Sequence, residues 1–233
     1  KPDRYLRELD IPGVDSKFVE RHKTILRDLL DRTLPQDAIN TEVASLAGSG
    51  FEQRYGLKYD EPLIRFRLLD PKLSGSCGIS DLSTPLDEFH TLNLACRRVF
   101  ITENKINGLS FPRISDSIVI FGLGYGISVL KECRWLRDKT LYYWGDIDTH
   151  GFAMLSQVRS YFPETKSFLM DRETLLAHQP LWGREESDKR FEGALDNLTS
   201  AERELHTLLK DNMLGQRIRL EQERIQFAYV RLR

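Results

Sequence analysis

LYYWGDIDTHGF, residues 141–152, decides how the chain is read: an apolar, aromatic run stops at two aspartates one residue apart. Leu141, Tyr142, Tyr143 and Trp144 carry the aromatic bias of a strand, Gly145 permits an unusual backbone angle, and a helical pattern sets in from about Thr149. Asp146 and Asp148 are therefore expected at the carboxyl end of a buried strand. Side chains two apart on extended chain point the same way, so both carboxylates can face one hard cation. Asp-x-Asp beside glycine is also the composition of a surface turn, and these residues alone leave both readings open.

The surrounding sequence favours the metal site. From Arg98 onward short apolar runs alternate with helical patterns, which predicts an α/β domain with a mainly parallel sheet flanked by helices. Strands are expected over residues 98–102, 117–121, 140–145 and 167–170, with helices near 127–136 and 149–161. Each strand ends at something chemically useful: Glu103, the glycines of residues 122–126, Asp146 with Asp148, and Asp171. Open α/β sheets bind ligands at that carboxyl edge. Further on, Thr199 and Glu202 form a capping box, and Leu205, Leu208 and Leu209 form an apolar stripe ending near Gly215. A last helix is expected over residues 219–230, with Glu221 and Glu223 in intrahelical pairs among Arg217, Arg219 and Arg224, or one of them reaching the metal.

Before residue 90 the pattern differs. After an irregular lead-in, a helix should start near Asp15 or Ser16, with Phe18, His22, Ile25, Leu26, Leu29 and Leu30 on one face. A second helix is suggested by Ile39, Val43 and Leu46, and a short third by residues 51–55; two short strands follow at 63–69 and 79–82. Three helices and a two-stranded wing make a winged-helix module, which can bind DNA or serve as a protein platform. The division expected is residues 1–90 for this module and 91–233 for the α/β domain.

The 233 residues include 34 basic and 35 acidic ones, so no whole-molecule field drives the protein onto nucleic acid; such binding must rest on a local patch, metal ions or a partner. Cys77, Cys96 and Cys133 show no CxxC spacing, which argues for a reducing, cytoplasmic setting and against a thiolate zinc site. No apolar run reaches membrane-spanning length and no signal peptide is visible, so no membrane partner is expected. The chain starts at Lys1 without methionine and is expected to be a piece of a longer protein. Two rival motifs fail in detail. In SIVIFGLGYGISVL, residues 117–130, Ile127 stands where a dinucleotide fingerprint needs its third glycine or alanine, so the glycines are read as a tight turn near a phosphate. A haloacid-dehalogenase loop would carry a Thr or Val where His150 stands.

A glutamate after one strand and Asp-x-Asp two strands later is the pattern of the Toprim domain. The segment Asp146-Ile-Asp148-Thr-His150-Gly151 is similar to the Asp-x-Asp-Pro-His-Gly segment of type VI topoisomerase A subunits. Together, GVDSKFVERHK (13–23), ITEN (101–104), YWGDIDTHGF (143–152), LMD (169–171) and RLEQERI (219–225) resemble the JetD, or MksG, family. These are the nuclease subunits of Wadjet-type, SMC-like anti-plasmid systems, and the resemblance spans nearly the whole chain. It implies a winged-helix, CAP-like module ahead of a Toprim domain, with a metal-dependent endonuclease acting on double-stranded plasmid DNA. Glu103, Asp146 and Asp148 would hold Mg²⁺ or Mn²⁺. His150 would orient a ligand or approach a phosphate, or only bond at the start of the following helix. Asn104 and Lys105 would position the glutamate or the phosphate, and Asp171 and Glu221 are outer candidates for a second metal. The implied partners are an SMC-like ATPase complex of the JetABC or MksBEF type, nucleoid-associated when assembled, and a second copy in a homodimer. Left open are a catalytically silent scaffold, a small-molecule phosphohydrolase, and a tyrosine transesterase using Tyr5, Tyr55 or Tyr59.

Overall fold

The computed structural model describes residues 2–123 and 126–231, apart from the side chains of Ser76 and Cys77. By contacts the chain divides into two compact units, Lys1–Glu61 and Pro62–Arg233.

In the first unit, α1 (Ser16–Thr33) begins where the side chain of Asp15 accepts the Phe18 N–H at 2.7 Å, capping one of the open amides of the first turn. Short α2 (Gly50–Arg54) packs Phe51 beside Val19, Ile39, Tyr55 and Leu57 in a small core. The helix expected around Ile39, Val43 and Leu46 is not formed; a 3-10 turn, Gln36–Ala38, stands at its start. Arg54 explains this, because its guanidinium donates to the carbonyls of Asn40 (3.3 Å) and Val43 (3.0 Å). The Asn40 side chain accepts the Glu42 N–H at 3.2 Å, so local side-chain bonds replace the helical ladder.

The second unit is built on a six-stranded sheet in the order β2-β1-β4-β3-β5-β6. Its strands are β1 (Leu63–Leu68), β2 (Asp81–Pro85), β3 (Arg98–Thr102), β4 (Ser117–Phe121), β5 (Thr140–Trp144) and β6 (Lys166–Ser167). Strands β4, β3, β5 and β6 run parallel, while β1 lies antiparallel to β4 and β2 antiparallel to β1. Flanking helices are α3 (Leu86–Thr91), α4 (Lys105–Ser110), α5 (Thr149–Tyr161), α6 (Arg172–Ala177) and α7 (Ser200–Lys210). A small second sheet pairs β7 (Gly183–Arg184) with β8 (Ile218–Arg219), and α8 (Phe227–Arg231) follows. Every residue of β4 is buried, as expected of a strand covered on both faces.

Several expectations are corrected here. The strands read as a wing are β1 and β2, and they extend the central sheet; this is why the units divide between Glu61 and Pro62, where the sequence reading put the boundary near residue 90. Ile64, Phe66 and Leu68 are buried in the main core, with Arg65 and Arg67 alternating on the other face. The helix expected at 127–136 is two 3-10 turns, Ile127–Glu132 and Arg134–Asp138. Ile127, Leu130, Cys133 and Leu136 are all buried, and a strict spacing of three suits the 3-10 helix at about three residues per turn. Strand β6 stops at Ser167, and Leu169 takes a left-handed φ of 55° that ends extended pairing before Met170. The expected helix over 219–230 is instead β8, a 3-10 turn at Gln222–Arg224 and α8. Of the glycine turn at 122–126, Gly124 and Tyr125 lie outside the described residues.

Candidate functional site

The carboxyl ends of β3 and β5 open into a cleft of about 260 Å³. Glu103, Asp146, Asp148 and His150 all line it, together with Asn104, Tyr143, Glu185, Lys189, Arg219 and Gln222. The adjacency of β3 and β5, paired Thr102 to Trp144, brings Glu103 and the two aspartates to one edge.

Each carboxylate is held by a different device. The buried Tyr143 hydroxyl donates to Glu103 Oε1 at 2.7 Å; burial, then the Glu103 charge, pushes that phenol well above its ordinary pKa and keeps it a donor. Asp148 is the N-cap of α5, its Oδ1 accepting the Gly151 N–H at 2.7 Å. Gly151 is required by contact, since a Cβ there would stand 2.1 Å from the Asp146 carbonyl oxygen. Asp146 Oδ1 accepts the Gln222 N–H at 2.8 Å. The remaining oxygens of the two aspartates turn to one guanidinium: Arg219 Nη2 lies 2.6 Å from Asp146 Oδ2, and Nε lies 3.2 Å from Asp148 Oδ2.

Arg219 arrives on β8. Leu220 exchanges backbone hydrogen bonds with Ile147, between the two aspartates, at 2.9 and 3.1 Å. Gln222 then plugs the floor: its amide accepts from Thr102 Oγ1 (2.6 Å) and Asn107 Nδ2 (2.9 Å) and donates to the Trp144 carbonyl (3.0 Å). Burial alone would lower the Arg219 pKa, but its bond to Asp146 and the charges of Asp148 and Glu221 outweigh that and raise it. Asp148, only 4% exposed, has its carboxyl pushed up to about 6, first by burial and then by the charges of Glu185 and Asp146, against the opposing Gly151 bond and Arg219.

Glu185 is a fourth carboxylate. It is 2% exposed, and its Oε1 accepts from Thr149 Oγ1 at 2.6 Å and from the His150 N–H at 3.1 Å. Its Oε2 lies 3.7 Å from Arg190 Nη1, and both atoms are buried without a hydrogen bond. The His150 backbone thus makes the helix-start bond considered in the sequence reading, while its exposed side chain lines the cleft.

The outer candidates separate from the cleft. Asp171 caps α6 by accepting the Thr174 N–H at 2.7 Å and lines another cavity. Glu221 pairs with Arg224 Nε at 2.8 Å and stands 3.6 Å from Arg219 Nη1. Asn104 caps α4 and donates to Glu223 at 2.5 Å, so its role is at least structural; Lys105 is exposed in the first turn of α4. Among the described residues, no three His, Cys, Asp or Glu side chains surround a common metal position. Glu103, Asp146 and Asp148 line one cleft without forming such a group, Glu103 being bonded to Tyr143 and the two aspartates to Arg219.

A family model described as the C-terminal part of the Wadjet protein JetD matches residues 56–233. The chain belongs to the JetD family. A second model, described as the N-terminal part of an uncharacterized protein conserved in bacteria, matches residues 1–31. None of the curated proteins compared matches the chain. The matched JetD region contains all the cleft residues, from Glu103 to Gln222. Among the described residues no helix is long and apolar enough to cross a membrane.

Proposed function

We propose that this chain is a metal-dependent DNA endonuclease, its cleft a Toprim-type centre, working as the nuclease subunit of a Wadjet SMC-like complex. Family membership supports the assignment to that defence system. The observation that carries the chemistry is the convergence of both aspartate Oδ2 atoms on a single cation, with Glu103 and Glu185 lining the same cleft. An all-oxygen donor set that already holds a positive charge fits a hard divalent ion such as Mg²⁺ or Mn²⁺. Glu103, Asp146 and Asp148 would hold that ion, which when bound neutralises phosphate charge and lowers the pKa of a water.

The chain's own residues do the rest. Tyr143 holds the orientation of Glu103, the α5 N-terminus that of Asp148, and the Gln222 amide that of Asp146. Lys189, Arg219 and His150 offer donors to a phosphodiester entering the cleft. Water is a better nucleophile than Tyr55, one of the three tyrosines named for a transesterase. Tyr55 is 5% exposed, donates its hydroxyl to Asp31 at 2.8 Å, and has a phenol pushed up to about 12, chiefly by burial. Double-strand cleavage with one such centre per chain implies a homodimer, in the cytoplasm with the SMC-like partner.

Supercoiled plasmid incubated with the intact protein and Mg²⁺ or Mn²⁺, then denatured in detergent, tests this. Metal-dependent linear product with no protein on the DNA ends is expected, and Glu103→Ala should abolish it. Full activity in Glu103→Ala would refute the centre, and a covalent adduct lost in Tyr55→Phe would establish the transesterase instead.

A further inference from the structure

Arg219 is the group that the metal reading does not absorb. Each aspartate spends Oδ1 on a backbone amide, Asp146 on Gln222 at 2.8 Å and Asp148 on Gly151 at 2.7 Å. Each is left one free oxygen, and both are taken by Arg219: Asp146 Oδ2 by Nη2 at 2.6 Å and Nε at 3.2 Å, Asp148 Oδ2 by Nε at 3.2 Å. The guanidinium therefore stands on the oxygens that a divalent ion would need. We propose that Arg219 is a gate on this centre: it holds the metal position in the unloaded protein, and the ion and the guanidinium compete for Asp146 and Asp148. The inference rests on the metal-centre reading above.

The local structure suits such an exchange. The Arg219 backbone is anchored by β7 and by the Leu220–Ile147 bonds, whereas its side chain is 26% exposed to the cleft. Release therefore asks only for a side-chain rotation, with the Asp146–Asp148 loop left pinned. A released guanidinium stays at the mouth of the same cleft, where its planar fork matches two phosphate oxygens. Phosphate binding to Arg219 and ion binding to the aspartates then favour one another, since each removes the competitor of the other, and this coupling is reciprocal. The centre would bind its ion more tightly with DNA present than in its absence.

Mn²⁺ binding to the intact protein, measured by calorimetry without DNA, tests the gate. Removing a charge-assisted competitor should tighten Mn²⁺ binding on the order of tenfold in Arg219→Gln, while plasmid cleavage falls. Arg219→Lys, which keeps the charge and loses the fork, should bind Mn²⁺ with intermediate affinity, and it serves where the glutamine variant does not fold. In chelator, Arg219→Gln should melt below the unmodified protein and gain more from added Mn²⁺, because the two aspartates are then left without a counter-charge. Mn²⁺ binding that is unchanged or weaker in both variants, with the unmodified protein binding normally, overturns the gate alone. Absence of Mn²⁺ binding in every protein, or binding that survives Asp146→Asn, overturns the metal centre and the gate with it.

Discussion

Replacing Asp148 by asparagine should make this protein more stable and inactive. Asp148 is 4% exposed, and its carboxyl is pushed up to about 6 from an ordinary value of 3.8, mainly by burial. The sign follows from proton binding. A carboxyl with a raised folded pKa binds its proton more tightly in the folded state, so its favourable contribution is complete below about 3.8 and is lost as pH rises through about 6. A rise of about two pH units, at roughly 1.4 kcal/mol each, amounts to about 3 kcal/mol of stability surrendered at pH 8 to keep Asp148 ionised. Asparagine keeps the shape and remains a good N-cap for the Gly151 amide, so Asp148→Asn should recover much of this in the absence of divalent ions. Urea denaturation in chelator at pH 8 and pH 4 reads the effect. The variant should exceed the parent by on the order of 2 kcal/mol at pH 8 and by little at pH 4, with no plasmid cleavage at either. A folded variant less stable than the parent at pH 8 would refute the reasoning, showing that Arg219 compensates the ionised carboxylate in full.

Three further outcomes are expected. Tyr143→Phe removes only the hydroxyl that orients Glu103 and should slow metal-dependent cleavage about tenfold without moving the circular dichroism spectrum. Gly151→Ala forces a methyl group against the Asp146 carbonyl oxygen and should cost about 2 kcal/mol in thermal denaturation while weakening Mn²⁺ binding. Glu202→Gln breaks the buried pair with Arg159, whose side chains are 9% and 8% exposed, and should cost about 3 kcal/mol. Burial alone would raise the Glu202 pKa, but Arg159 holds it down to about 2, so the stability this pair contributes is present above about 4.5 and is lost as pH falls toward 2. Acid titration of the parent and variant should therefore converge at low pH.

What was legible in the sequence is what periodicity and local chemistry encode. Strands β3, β4 and β5 read directly because buried parallel strands are continuous apolar runs ended by polar residues. The N-caps Asp15 and Thr199 read because a short polar side chain before an apolar period has one use. The wing was misread because Ile64, Phe66 and Leu68 alternate in the same way in a hairpin and in an antiparallel edge of a larger sheet; only pairing with β4 distinguishes them. The stretch 127–136 was misread because spacings of three and 3.6 separate only over several turns, and the choice of 3-10 winding is made by the core that Leu130, Cys133 and Leu136 enter.

The candidate site divides along the same line. Glu103, Asp146 and Asp148 follow strands and carry their positions in the local sequence, and the fold brings all three to one cleft. Arg219, Gln222 and Glu185 reach it through long-range placement, 73 residues separating Arg219 from Asp146 and 36 separating Glu185 from Thr149. Arg219 and Gln222 lay in a motif, RLEQERI, whose charges also fit an amphipathic helix; the sequence could not show that Leu220 would pair with Ile147. Glu185 had no local signal in GREES, because a surface run of charge and a buried carboxylate are spelled alike. The acids that would hold an ion are therefore local in sequence, and the groups that control their charge are remote. A substitution at Gly183, Arg184, Arg217 or Ile218 can alter the centre without touching an acid, by moving the β7–β8 pairing on which Glu185 and Arg219 both depend.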